Sequence, residues 1–214
     1  MTPPAPAPHL DEPALFDRRG LIAAAAAGAA LAACPAHATH RPSLPFQPIA
    51  ETAMTLTPPT GAHDFDFFFG DWRVRHSRLK RRLVGNTEWV EFPGETSTRP
   101  ILAGLGNFDE NTLSLPEGEY EACTLRLFDP ATGVWAIRWI DARNPKLEEP
   151  VFGRFENGVG LFYGDDVLEG RSIRVRFTWS DITPTACRWA QAFSDDAGQT
   201  WETNWVMDFT RVTT

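Results

Sequence analysis

The sequence predicts an all-β domain of about ten antiparallel strands closed into an up-and-down barrel, and three observations carry that prediction. From residue 64 onward apolar and polar residues alternate in short runs, and no helical period lasts more than one turn. The runs are separated by turn chemistry in connectors too short for anything but antiparallel neighbours, such as 129–133, Glu156-Asn157-Gly158 and Glu169-Gly170. All eight tryptophans fall between residues 72 and 205, which gives the domain a wide, aromatic interior. Ten strands in a flat meander would leave two unpaired edges, and closure removes them.

The strands are expected at 72–80, 87–98, 101–115, 120–128, 134–142, 151–155, 159–167, 172–181, 186–194 and 201–212, behind a short turn or 3-10 plug at 64–69. In the first, Trp72, Val74 and His76 share a face; in the second, Trp89 and Glu91 do. Gly104-Leu105-Gly106 interrupts the third and reads as a bulge or bend, because no helix follows it to receive a phosphate. Trp135, Ile137 and Trp139 line the fifth strand, and Ile173, Val175, Phe177 and Trp179 the eighth, with Arg174 and Arg176 on its outer face. Trp189 and Gln191 share a face of the ninth, with Arg188 opposite, and Trp201, Trp205, Met207 and Phe209 are assigned to the inside of the tenth.

The turn before the last strand, Ser194-Asp195-Asp196-Ala197-Gly198-Gln199-Thr200-Trp201, resembles the Asp-box of sialidase propeller blades. It occurs once, in a chain too short for a propeller, so it is read as a hairpin: Asp196 accepts backbone amides, Gly198 takes a positive φ, and Trp201 packs over the loop.

The N-terminal part has a different character. Residues 1–38 resemble a twin-arginine export signal: Arg18-Arg19, then an alanine-rich apolar run, then Ala36-His37-Ala38. Leu31-Ala32-Ala33-Cys34 also resembles a lipobox, which would make Cys34 a lipidated first residue and the chain's one tie to a membrane. The product would be periplasmic, secreted or lipid-anchored. The alternative is a cytoplasmic protein that starts at Met54. Residues 39–62 are proline-rich and read as a disordered linker, leaving 63–214 as the barrel. Of the eight net negative charges, the leader holds one and the body seven, which argues against a partner that is nucleic acid. Cys123 and Cys187 are too few for a disulfide framework, and His63 and His76 lack metal-ligand spacing, so no metal and no cofactor are expected.

Two resemblances sharpen the fold. Phe69-Gly70-Asp71-Trp72 with Arg211 near the end of the last strand is similar to the lipocalin and calycin arrangement, in which a Gly-x-Trp packs beneath a closing-strand arginine. Over residues 63–212, stretches such as HDFDFFFGDWRVRHSRLK, LRLFDPATGVWAIRWID and CRWAQAFSDDAGQTWETNW resemble a bacterial family of lipocalin-like domains of unknown function. That implies a barrel without naming a reaction. A ten-stranded haem barrel of the nitrobindin type would need a late-strand histidine, and none follows His76.

The leading functional expectation is a small, mainly apolar or aromatic ligand held by His76, Trp89, Glu91, Trp135, Trp139, Tyr163, Trp189, Gln191 and Trp205. A second is a cofactor-independent isomerase or cyclase in the same cavity, with His76 and Glu91 as an acid/base pair. A third is a structural or partner-binding barrel with a filled core.

Overall fold

A computed structural model describes residues 61–213. The twin-arginine stretch, Cys34, Met54 and most of the linker lie outside the described residues. Ten antiparallel strands follow one another round a closed barrel: β1 (Gly70–Leu79), β2 (Trp89–Ile101), β3 (Gly106–Leu115), β4 (Gly118–Asp129), β5 (Val134–Asp141), β6 (Val151–Glu156), β7 (Val159–Leu168), β8 (Arg171–Ser180), β9 (Ala186–Ser194) and β10 (Glu202–Arg211). Closure is made by β1 against β10, with Trp72 opposite Arg211 and His76 opposite Met207.

A 3-10 turn, Asp66–Phe68, enters one end of the barrel and shuts it. Phe68 stacks on Trp72 at 5.5 Å between centroids and meets the edges of Trp179 at 4.7 Å and Phe209 at 5.1 Å. Two of the buried indoles packed on the plug donate to backbone: Trp72 to the Phe68 carbonyl at 2.8 Å and Trp135 to the Gly61 carbonyl at 3.0 Å. Gly61 and Ala62, the expected end of the linker, therefore belong to the plug, and Ala62 is buried. Arg211 lies 4.1 Å above the Trp72 ring and donates to the carbonyls of Phe69, Phe67 and Pro184. Gly70 makes room for this: its φ is +103°, and a Cβ there would sit 3.1 Å from the Arg211 guanidinium.

The other end is open. Its connectors include the two longest in the barrel, 80–88 between β1 and β2 and 142–150 between β5 and β6. β5 and β6 share only three registered pairs, Trp135 to Gly153 through Ile137 to Val151, so beyond Ile137 the 142–150 segment runs alongside β5 instead, with Glu148 N–H donating to the Trp139 carbonyl at 3.2 Å.

One change of register corrects the reading of β10. The β10–β9 pairing slips between Thr203 and Trp205, leaving Asn204 as an extra, fully buried residue. Side chains beyond the bulge change sides. Trp205, Met207 and Phe209 point inward, whereas Trp201, expected inside, sits outside under the Arg176 guanidinium at 4.6 Å and 6.0 Å from Tyr163.

Candidate ligand cavity

Between the plug and the mouth the barrel encloses a cavity of about 390 Å³, within the size range of small-molecule sites. Its floor is Phe68, Trp179 and Phe209, and one wall is aromatic, built by Phe177, Trp189 and Trp205 of the adjacent strands β8, β9 and β10, toward which Trp139 of β5 reaches from across the barrel. Trp205 is central to that wall, meeting the faces or edges of Trp139 at 6.1 Å and Trp189 at 5.7 Å.

The opposite wall is polar. Asn107, Asp109 and Asn111 occur at alternate positions of β3 and so point inward together, beside Thr124 and Arg126 of β4. Arg126 and Asp109 form an ion pair at 2.5 Å with side chains 5% and 1% exposed. Two charges taken this far from water need every remaining bond. Asp109 also accepts the Thr124 N–H at 2.9 Å and the Asn111 amide at 2.6 Å, while Arg126 donates to Asn107 at 3.0 Å. The guanidinium lies 5.2 Å from the rings of Phe65 and Phe68, so its flat face rests on the aromatic floor. Arg126 Nε and Trp179 Nε1, both on cavity-lining residues, have no hydrogen-bond partner among the described residues.

Charge returns at the mouth. Arg143 is bound to Asp141 at 2.5 and 2.9 Å and lies 3.6 Å over the Tyr120 ring; the hydrogen bond to Asp141 raises its pKa. Arg78 sits 5.3 Å from both the Phe92 and Trp205 rings. Burial, and then the charge of Arg78, lower the pKa of Arg82. Across the opening stand Glu148 and Asp166; burial, and then the neighbouring Asp166 and Asp141, raise the Glu148 carboxyl. Arg78 belongs to β1 and Glu148 precedes β6, strands five places apart whichever way round the barrel is followed.

Of the nine residues expected to line the site, Trp139, Trp189, Gln191 and Trp205 do so. Gln191 is fixed by its amide donating to Asn204 at 2.8 Å. His76 is buried in the wall just behind the cavity, its ring parallel to Phe92 at 4.6 Å and its Nδ1 accepting the Trp205 indole N–H at 3.2 Å. The missing side chain of Gly94 provides its space, since a Cβ there would fall 2.5 Å from His76 Nε2. Burial, helped by the charge of Arg78, lowers the His76 pKa to about 3, so the imidazole is neutral at physiological pH.

Four expectations are corrected. Trp135 is buried under the plug against Phe65 and Phe128, not in the cavity wall. Trp89, 41% exposed, and Tyr163, 36% exposed, face outward. Glu91 is also outside: it pairs in register with Ser77, while the residue opposite His76 is Phe92. The inner face of β2 is Val90, Phe92, Gly94, Thr96 and Thr98, the opposite parity to the one expected. His76 and Glu91 therefore stand on opposite faces of the sheet, and the acid/base pair is not formed.

The residues that sequence reasoning missed are Asp109, Asn111, Thr124 and Arg126 inside and the charged rim. Their signal is alternate-position polarity on adjacent strands, interleaved in β4 with the outward Leu125 and Leu127, so that apolar alternation alone does not say which set faces in. Among the described residues no group of three His, Cys, Asp or Glu side chains is arranged to hold a metal ion.

No family model matches the chain, and no curated protein matches it. Among solved structures, the S-type phycobiliprotein lyase CPES from Guillardia theta is similar at 9% identity and a TM-score of 0.44, over 70% of this chain and 91% of that one. The barrel rests on the strand register of this chain itself.

Proposed function

We propose that the domain binds one small molecule with an aromatic or apolar body in its barrel, without a covalent step. The observation that carries this reading is the cavity of about 390 Å³, lined by Trp139, Phe177, Trp189 and Trp205. A core assembled only for stability closes such a space with side chains, since interiors otherwise pack at crystal density. The acid/base reading has lost the geometry it needed, because Glu91 does not reach His76.

The test is titration of the folded protein with the neutral dye N-phenyl-1-naphthylamine. Binding at one site per chain, with quenching of tryptophan fluorescence, supports the reading. Dye uptake only after partial unfolding sinks it in favour of a filled core. The leader belongs to the same proposal: an exported carrier meets its ligand outside the cytoplasm. The intact mass of protein from its own host separates cleavage after Ala38, a lipid on Cys34 and a start at Met54.

A further inference from the structure

We propose that the molecule held in the barrel is an aromatic organic acid, with its anionic group seated at the mouth on Arg78, Arg82 and Arg143. This inference rests on the cavity being a ligand site.

Four guanidiniums line the cavity, and two are neutralised inside the protein: Arg126 by Asp109 and Arg143 by Asp141, each at 2.5 Å. Arg78 and Arg82 have no carboxylate within 4.0 Å among the described residues. They are nevertheless partly buried on the same side of the rim, and the Arg82 Nε is enclosed with no hydrogen-bond partner among the described residues. Like charges held together in a half-dry site repel, and a bound anion relieves that repulsion while accepting the free donors.

A second group stands beside them. Tyr120 is nine-tenths buried under the Arg143 guanidinium and next to Arg78, and its hydroxyl has no partner at full hydrogen-bond geometry among the described residues. Burial raises its pKa although Arg143 and Arg78 act to lower it, so the phenol keeps its proton and is a donor. The rim thus combines two guanidiniums without an ion pair among the described residues, Arg82 feeling the charge of Glu202 only from beyond that distance, a third held over a phenol, and that phenol's hydroxyl beside Arg78.

The rest of the ligand follows from what lies below and across. The Arg78 guanidinium is 5.3 Å from the Trp205 ring, so an anion bound there leads straight onto the indole wall. Glu148 and Asp166 on the far side repel an anion and fix which way round it enters. The body carries seven net negative charges, which disfavours a polyanion and leaves a small acid as the fitting partner.

The experiment uses two probes with one aromatic body, neutral N-phenyl-1-naphthylamine and its 8-sulfonate, on the full chain in low-salt buffer. The sulfonate is expected to bind about tenfold tighter or more than the neutral probe, and added salt to erode that ratio, because the preference comes from partly exposed charges. In Arg78→Gln/Arg82→Gln the ratio should fall to roughly one, with far-UV circular dichroism reporting the fold. Arg82→Gln alone reads the same ratio with a partial fall and covers a double variant that does not fold. Equal affinities in the parent, or a preference that survives both substitutions, overturns the anionic ligand while leaving the carrier reading intact. Failure of both probes to bind the folded protein overturns both.

Discussion

The two ends of the barrel solve opposite problems with the same residue types. At the closed end, two of the three indoles and a guanidinium are satisfied by the protein: Trp72 and Trp135 give their N–H groups to carbonyls and Arg211 donates to three carbonyls while covering Trp72, whereas the Trp179 N–H, at the cavity floor, has no partner among the described residues. At the mouth, Arg82 and Tyr120 carry buried polar atoms with no hydrogen-bond partner, and Arg78 and Arg82 no acid at ion-pair distance, among the described residues. The difference teaches where folding energy has been collected and where interaction capacity has been left over. A group already satisfied by the protein stabilises the fold; one that is not is free to recognise a ligand, at some cost to stability.

The largest effect expected from breaking this contrast is at the closed end. Trp72→Ala removes a buried ring stacked on Phe68 and should cost roughly 3 to 5 kcal/mol in denaturant unfolding. Arg211→Ala should show coupling to it of about 0.5 to 2 kcal/mol in a double-mutant cycle. Strict additivity would mean that the guanidinium serves its three carbonyls only.

Nearly as large is the effect of splitting the pair midway between the ends. Asp109→Ala leaves Arg126 charged on an aromatic floor and should cost on the order of 3 kcal/mol or more. Replacing both, as Asp109→Leu with Arg126→Met, should recover much of that loss, since buried ion pairs are often matched by apolar substitutes. If the double variant is as unstable as the single one, the surrounding Asn107, Asn111 and Thr124 depend on the charges for their own bonds.

His76 sharpens the contrast through pH. It is neutral in the fold, with its pKa lowered to about 3 by burial and then by Arg78; the unfolded chain titrates near 6.5. Below that value the unfolded state takes up the proton that the folded state refuses, so this contribution to stability is complete above about pH 6.5 and is lost as pH falls toward 3. Against a His76→Gln reference, whose amide does not titrate, the parent should lose about 2 kcal/mol of relative stability between pH 7 and pH 5. A difference that is flat over that interval would show that protonated His76 is accommodated.

How much of this was legible follows the chemistry of each face. In β8 the sequence alternates Ile173, Val175, Phe177 and Trp179 with polar residues, and the inner face is read off correctly because burial there is apolar. In β3 and β4 the period of two is as regular, but the inward set is Asn107, Asp109, Asn111, Thr124 and Arg126, made tolerable inside only by hydrogen bonds that cross strands. No local pattern announces a cross-strand bond, so periodicity gave the strands and not their orientation. Gly94 hides a similar fact: its missing side chain is the space His76 fills. The Asn204 bulge is a shift of register that reverses parity between Trp201 and Trp205, and no residue type in Glu202-Thr203-Asn204-Trp205 requires it.

The smallest effect belongs to the hairpin at the mouth that carries Asp196, where a catalytic and a structural role make different predictions. The carboxylate accepts the Thr200 N–H at 2.9 and 3.0 Å, the Thr200 hydroxyl at 2.6 Å and the Ser194 hydroxyl at 2.7 Å, and Trp201 closes the turn by donating to the Gly198 carbonyl at 3.0 Å. Gly198 supplies the positive φ, +91°, that the turn needs. With both carboxylate oxygens accepting from its own loop, Asp196 is occupied within the turn, and it is not part of the cavity lining. Asp196→Ala should therefore lower the thermal midpoint modestly and leave N-phenyl-1-naphthylamine binding unchanged. The hydrogen bonds from Thr200 and Ser194 hold the Asp196 carboxyl well below the usual carboxylate range. A depressed carboxyl stabilises the fold above its unfolded pKa, about 3.9, and loses that contribution as pH falls through the folded value. The gap between parent and variant should thus stay constant from neutral pH down to about pH 4 and narrow only below it. Hydrolysis of a fluorogenic sialoside by the parent, abolished in Asp196→Ala, is the result that would make this turn a catalytic element.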